Sequence, residues 1–221
     1  MTVGVIVPAA GAGTRLGAGS PKALRLVGGE PLLVHAIRRL RACPSVGPVV
    51  VAAPPACCRE VEALLADYDV TVVAGGAERQ DSVMAGLAGL PAAVDVVLIH
   101  DAARAFVPVD VVEAVVAALR AGADAVVPVL PVSDTVKRVD LSGAVVATVP
   151  RDELRGAQTP QGFRREVLEA AHQSAPATLT DDAAVVEAAG VTVQTVRGAP
   201  EAFKVTTAFD LLVAEAVVAR G

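Results

Sequence analysis

The sequence contains no tryptophan, one tyrosine and four phenylalanines among 221 residues. With so few rings it has no platform for stacking successive bases, and a net charge of −5 offers no basic face to a phosphate backbone, so general nucleic-acid binding is excluded. Also missing is any uninterrupted apolar run of the roughly 18–20 residues that a bilayer crossing needs. Hydrophobic residues make up 53% of the chain and mean hydropathy is +0.56, mainly through alanine and valine. A soluble protein without membrane association is expected. No basic leader with a long apolar segment opens the sequence, which points to the cytoplasm. The three cysteines, Cys43 and the adjacent Cys57 and Cys58, form no C-x-x-C pair and have no nearby histidine, which argues against a zinc site or a disulfide framework. His35 and His172 fall in helical patterns without a partner motif and are assigned packing or surface roles.

What is present is a regular alternation. Short β-branched runs at 3–7, 49–53, 70–73, 94–99 and 125–129 have the character of buried parallel strands. Between them, helical spacing occupies 32–41, 59–65, 82–90 and 111–120. The pattern predicts an α/β fold with a doubly wound, mostly parallel sheet, formed as one domain over 1–221. After Pro131 the rhythm changes. Residues 132–152 hold two β-like pieces around Asp140-Leu141-Ser142-Gly143, which predicts a protruding β-hairpin arm, and a two-stranded ribbon that is marginal alone suits a dimerisation element. Helices near 164–173 and 181–189, a strand at 191–196 and a helix over 207–219 complete the chain.

Three segments leave strands at the end where such sheets bind ligands. Pro8-Ala9-Ala10-Gly11-Ala12-Gly13-Thr14-Arg15 follows the first strand and precedes Pro21-Lys22. Small residues permit close backbone approach, and Arg15 and Lys22 supply positive charge, as a polyphosphate requires. The dinucleotide pattern fails because Leu16 stands where its third glycine belongs. The P-loop pattern fails as well, since Lys22 lies between Pro21 and Ala23. Taken alone, the segment fits either a nucleotide loop or a ligand-free strand-to-helix turn. Gly75-Gly76 ahead of Glu78-Arg79-Gln80-Asp81-Ser82 offers backbone groups to a base edge, or else an ordinary helix start capped by Asp81 or Ser82. His100-Asp101-Ala102-Ala103-Arg104 puts a carboxylate beside the inferred phosphates, where Asp101 could hold Mg²⁺ or merely cap a turn, and Arg104 could hold a second anion. Thr135, Arg151, Thr159 and Lys204 extend the set of donors suited to a phosphate monoester.

Together, and in this order, Pro8-Ala-Ala-Gly-x-Gly-x-Arg15, Pro21-Lys22, Gly75-Gly76 with Asp81-Ser82-Val83, His100 to Arg104, Asp134-Thr135-x-Lys137, Thr159-Pro160-Gln161, Thr180-Asp181-Asp182 and Lys204-Val205-Thr206 resemble the 2-C-methyl-D-erythritol 4-phosphate cytidylyltransferase family over nearly the whole chain. The resemblance implies a Rossmann-like nucleotidylyltransferase fold and a homodimer joined through the arm. It also implies transfer of the cytidylyl group of CTP to methylerythritol phosphate, with release of pyrophosphate, in the non-mevalonate isoprenoid pathway. It places Pro8, Ala9, Ala10, Gly11, Gly13, Gly75, Gly76, Ser82 and Ala102 on the nucleotide. Arg15 and Lys22 fall on its phosphates as catalytic cations, and Asp101 on Mg²⁺ and the acceptor. Arg104, Thr159 and Lys204 fall on the sugar phosphate, and Thr135 and the catalytic Arg151 on the partner's site. Ala77, Ala23 and Ala105 depart from the commonest pattern, where Asp, Gln and Pro often stand. Two other readings remain: a cytidylyltransferase for ribitol 5-phosphate or another polyol phosphate, and a silent nucleotide-binding regulator.

Overall fold

The computed structural model describes residues 1–11, 21–174 and 179–220. Its strands are β1 (Val3–Pro8), β2 (Leu26–Val27), β3 (Glu30–Pro31), β4 (Val49–Ala53), β5 (Val70–Ala74), β6 (Val96–Ile99), β7 (Ala125–Pro131), β8 (Val136–Val139), β9 (Val145–Val149), β10 (Arg155–Ala157), β11 (Gln161–Arg164) and β12 (Val193–Arg197). The helices are α1 (Leu32–Arg41), α2 (Cys58–Leu64), α3 (Arg79–Gly89), α4 (Val109–Arg120), α5 (Arg165–Ser174), α6 (Asp182–Ala188) and α7 (Ala208–Val218). None of these helices is long and apolar enough to cross a membrane.

The main sheet has the order β10-β7-β11-β6-β1-β4-β5, with β12 also paired to β7. Neighbours β6, β1, β4 and β5 run parallel, so their carboxyl ends share one edge. Because side chains alternate across a sheet, β1 sends Val5 and Val7 to one face and Ile6 to the other. On the first face Val51 and Leu98 join Ile37 and Leu40 of α1 and Val112, Val115 and Leu119 of α4. On the opposite face Val50, Val97 and Ile99 join Val83 and Leu87 of α3, Leu168 of α5 and Val185 and Val186 of α6. A smaller cluster, with Val27, Phe106 and Val205, lies under α7.

The predicted doubly wound sheet is present, and α1 and β4 have the predicted bounds. Two details differ. First, β5 is not uniformly buried as predicted, because it is the sheet's edge and is covered on fewer sides. Second, β10 and β11 are antiparallel members that hydrophobic periodicity did not mark. Strand β11 is short and has one large apolar residue, Phe163, which is fully buried; truncating it to alanine would cost about 3–5 kcal/mol. Beside it, Gly162 lies against Val115, Leu119 and Leu98 so closely that a Cβ would approach them to 2.5–2.9 Å. A larger residue there would force these core side chains to shift for the strand to fit between β6 and β7.

The hairpin is formed by β8 and β9, a separate two-stranded sheet joined through Gly143 at φ +85°. Asp140 shapes its tip by accepting from the backbone N–H groups of Ser142 at 2.9 Å and Ala144 at 3.0 Å. The Ser142 hydroxyl, donating at 2.6 Å, and then these backbone bonds favour the charged form and hold its carboxyl below the usual range.

Candidate active site

The first loop leaves β1 still tied to the sheet, with Ala9 N–H donating to Ala52 O at 2.8 Å. The far end of the loop returns to its start, since Lys22 N–H reaches Gly11 O at 3.4 Å. Lys22 opens a 3₁₀ turn whose next residues, Ala23 and Leu24, are buried and fix its base. Gly13 and Arg15 lie outside the described residues.

The second loop is held to the first by close packing. A Cβ on Gly75 would come within 2.8 Å of Ala10 Cβ and 2.9 Å of Ser82 Oγ, so glycine is required for this approach. Gly75 N–H is committed to Ala53 O at 2.7 Å, whereas Gly76 N–H donates to Ser82 Oγ at 3.2 Å and Ser82 donates on to Glu78 O at 3.3 Å. The N-cap of α3 is Glu78. Asp81 sits three positions into the helix and closes a reciprocal capping box, so the predicted cap at Asp81 or Ser82 is moved upstream.

The third loop is ordered by a directed chain of hydrogen bonds. Asp101 N–H donates to Thr159 Oγ1 at 3.0 Å, Thr159 Oγ1 lies 3.1 Å from His100 Nδ1, and His100 Nε2 lies 3.2 Å from Arg104 O. A carbonyl accepts only, so Nε2 carries the proton, Nδ1 accepts, and the threonine hydroxyl donates to it. His100 is fully buried, and burial lowers its pKa to about 4, which keeps the ring in the neutral form this chain needs.

Asp101 is the electrostatic centre. Its Oδ2 is 2.6 Å from Lys204 Nζ and its Oδ1 is 3.5 Å from Arg79. Burial pushes the carboxyl pKa up, but the charges of Arg79 and Lys204 outweigh burial and hold it well below the usual carboxylate range. Lys204 reaches this position because Val205 N–H binds Ala103 O at 2.9 Å, and because Arg104 donates to Ala202 O at 2.8 Å and Ala157 O at 3.0 Å, tying the Lys204 segment to β10.

The three loops enclose a cavity of about 430 Å³. Pro8, Ala9, Ala10, Gly11 and Lys22 line it from the first loop, Gly76 and Ser82 from the second, and Asp101, Ala102 and Lys204 from the third side. Of the other predicted residues, Gly75 lies behind the wall, Thr159 is buried beneath Asp101, and Arg104 braces the loop bearing Lys204. Thr135 is exposed at the arm's root. Arg151 lines a second, open cavity there and donates to Ser133 O. Arg79, which no motif singled out, lines the main cavity.

The family model described as IspD, 2-C-methyl-D-erythritol 4-phosphate cytidylyltransferase, matches residues 3–220. The chain belongs to this family. It is 56% identical over 218 residues to the 2-C-methyl-D-erythritol 4-phosphate cytidylyltransferase of Frankia casuarinae, covering 99% of this chain and 82% of that one. It is 55% identical over 224 residues to that of Saccharopolyspora erythraea, covering 99% and 100%. Among solved structures, the Thermus thermophilus enzyme superposes with a TM-score of 0.79 at 36% identity, covering 99% and 100% of the two chains. The 4-diphosphocytidyl-2C-methyl-D-erythritol synthase of Anaerococcus prevotii superposes with a TM-score of 0.87 at 26% identity, covering 99% of each chain. Family membership makes this chain a nucleotidyltransferase and disfavours the silent-regulator reading.

Proposed function

We infer that this chain carries out its family's reaction. It transfers the cytidylyl group of CTP to 2-C-methyl-D-erythritol 4-phosphate, giving 4-diphosphocytidyl-2-C-methyl-D-erythritol and pyrophosphate, in non-mevalonate isoprenoid biosynthesis. One observation carries the residue assignment: a lysine-bearing small-residue loop, a glycine-paired helix start and a carboxylate between two cations share one cavity, in a chain that the family model spans.

In this reading the nucleotide lies along Ala9, Ala10, Gly11, Gly76, Ser82 and Ala102, with its triphosphate toward Lys22 and Arg15. The acceptor's phosphate has a second pKa of roughly 6 and is already a competent nucleophile at neutral pH. It attacks the α-phosphorus in line with the departing pyrophosphate, so no protein nucleophile or strong general base is needed. The chain contributes position and charge. Lys22 neutralises charge that builds on the phosphates, and Lys204, held by Asp101, faces the acceptor. Thr159 acts beneath the surface by fixing Asp101, and Arg104 by holding the Lys204 loop.

Asp101 also suits Mg²⁺, a hard cation that takes one or two carboxylates and completes its shell with phosphate oxygens and water. Among the described residues no cluster of three or more His, Cys, Asp or Glu stands ready for a metal, so phosphates would have to supply the remaining ligands. Binding at Oδ2 would require Lys204 to yield that oxygen. The ion would supply charge neutralisation on the triphosphate. The arm over 132–152 joins two copies into a dimer and carries Thr135 and Arg151 to the partner's cavity. It exposes Val139, Leu141, Val145 and Val146, an apolar set that its own chain leaves uncovered. The enzyme is placed in the cytoplasm with its nucleotide substrate.

The test is pyrophosphate release with Mg²⁺ across the four nucleoside triphosphates and a panel of sugar and polyol phosphates. Turnover confined to CTP with methylerythritol phosphate is expected. Preference for ribitol 5-phosphate would transfer the assignment to that acceptor, and no release with any pair would overturn it.

A further inference from the structure

Arg79 opens α3 at the wall of the cavity, and its guanidinium spans two carboxylates. Nη1 lies 2.5 Å from Asp182 Oδ2, and Nη2 lies 3.5 Å from Asp101 Oδ1. The two acids have different surroundings. Asp101 faces the cavity, whereas Asp182, the first residue of α6, is fully buried and neither of its oxygens has a hydrogen bond of good geometry. The buried Nε2 of His172 on α5 also lies close to it, 3.4 Å from Oδ1.

Asp182 is not required to start its own helix. Asp181 caps α6 by accepting from Ala184 N–H at 2.9 Å and is held by Gln161 Nε2 at 2.7 Å, while Gln161 Oε1 accepts from Ala183 N–H at 3.0 Å. A buried carboxylate that neither caps a helix nor completes a hydrogen-bond network is costly to keep. What it does here is hold one arm of a guanidinium whose other arm enters the active cavity. Burial opposes the charge on Arg79, but Asp182 and Asp101 overcome it and the cation is strengthened.

We propose that Arg79 is a positioning residue for cytidylyl transfer: anchored by Asp182 on one side, it fixes the Asp101 side chain on the other, and Asp101 in turn holds Lys204 toward the acceptor. The proposal rests on the functional reading above. It depends on the planar fork of arginine, because a lysine ammonium is a point charge that can satisfy only one of two carboxylates on opposite sides.

The experiment compares kcat, KM for both substrates and melting temperature for wild type, Arg79→Lys, Asp182→Asn, Asp101→Asn and the Arg79→Lys/Asp101→Asn double variant. Arg79→Lys should keep its anchor on Asp182 and its melting temperature, yet lose about 30-fold or more in kcat, as a misplaced catalytic group can. Asp182→Asn should lower kcat in the same direction without lowering the folded fraction in proportion. The double variant should be no slower than Asp101→Asn alone, since Arg79 acts through Asp101. Arg79→Lys within twofold of wild-type kcat, or rate losses that multiply in the double variant, would overturn the proposal. If Arg79→Lys does not fold, Asp182→Asn decides: unchanged kcat refutes the coupling and reduced kcat at full folding supports it. Wild-type turnover on another acceptor would correct the functional reading alone, and the same variants would then be compared on that acceptor. A wild type inert with every pair would overturn both.

Discussion

The cavity at the carboxyl ends of the parallel strands and the β8–β9 arm differ in how their charges and apolar groups are satisfied. Around the cavity the described charges and loops are matched within the chain: Asp101 lies between Lys204 and Arg79, His100 between Thr159 and Arg104 O, and Gly76 N–H on Ser82. Among the described residues the strands of the arm pair only with each other. Its β8–β9 ladder forms a separate sheet, Leu141 at its tip is fully exposed, and the strands present Val139, Val145 and Val146 to solvent. A site that is internally satisfied can be rigid in one chain, whereas a ribbon with uncovered apolar residues needs a partner. The difference is what the proposed division of labour would use, with one chain building the nucleotide half and the arm completing a neighbour's acceptor half.

Complementation between two impaired variants tests that division directly. Arg151→Ala and Lys22→Ala proteins, each weak alone, should regain about a quarter of wild-type activity when mixed at equal amounts, because half of randomly paired dimers carry one intact composite site. If subunits exchange and no activity returns, arm and cavity serve the same chain and the comparison fails. Next comes Lys22→Ala by itself, expected to lower kcat by roughly a hundredfold or more through loss of a charge that acts in the transition state. Steady-state turnover near the wild-type level would remove Lys22 from the chemistry.

A stability measurement sharpens the contrast on the cavity side. His100 is neutral in the folded state with its pKa lowered to about 4, while in the unfolded chain it takes up a proton below its ordinary value near 6.5. Between those values the unfolded state binds more protons, so stability falls as pH falls, by about 2 kcal/mol between pH 7 and pH 5. Urea titrations at the two pH values should show this loss in wild type and a flatter dependence in His100→Gln; equal slopes would contradict the buried neutral ring. The smallest effect concerns a departure from the family pattern: Ala77→Asp should lower KM for CTP only a few-fold, as one regained exposed hydrogen bond of about 1 kcal/mol allows. A change of more than tenfold would mean that the second loop is reorganised, not merely supplemented.

Some of this was readable along the chain. The apolar face of α1 and the continuous valine run of β4 are periodic features, and their bounds match the structure. The small-residue loop before Lys22, Gly76 of the paired glycines and Asp101 were legible as ligand-facing because each follows an apolar, β-branched run. Strand β11 was not, because Gln161-Gly162-Phe163-Arg164 has one large apolar residue and is a strand only through its ladders with β6 and β7. Thr159 looked like a substrate donor, yet its hydroxyl is engaged by Asp101 N–H and His100 below the surface. Arg79 gave no signal, since its significance depends on Asp182 and Asp101, each distant in sequence.

By itself, the sequence determined the alternation of strands and helices, the chemistry of the loops that follow them, and the family, because these depend on local periodicity and short motifs. Only the tertiary structure decided that Asp101 sits between two cations, that Arg104 braces a loop and Thr159 lies beneath Asp101, and that Arg79 joins a buried acid to one facing the cavity. The physical reason is range: periodic burial is set by neighbours within a few residues, but the meeting of charges from β6, α3, α6 and the Lys204 loop is set by how the sheet and its two helical layers pack.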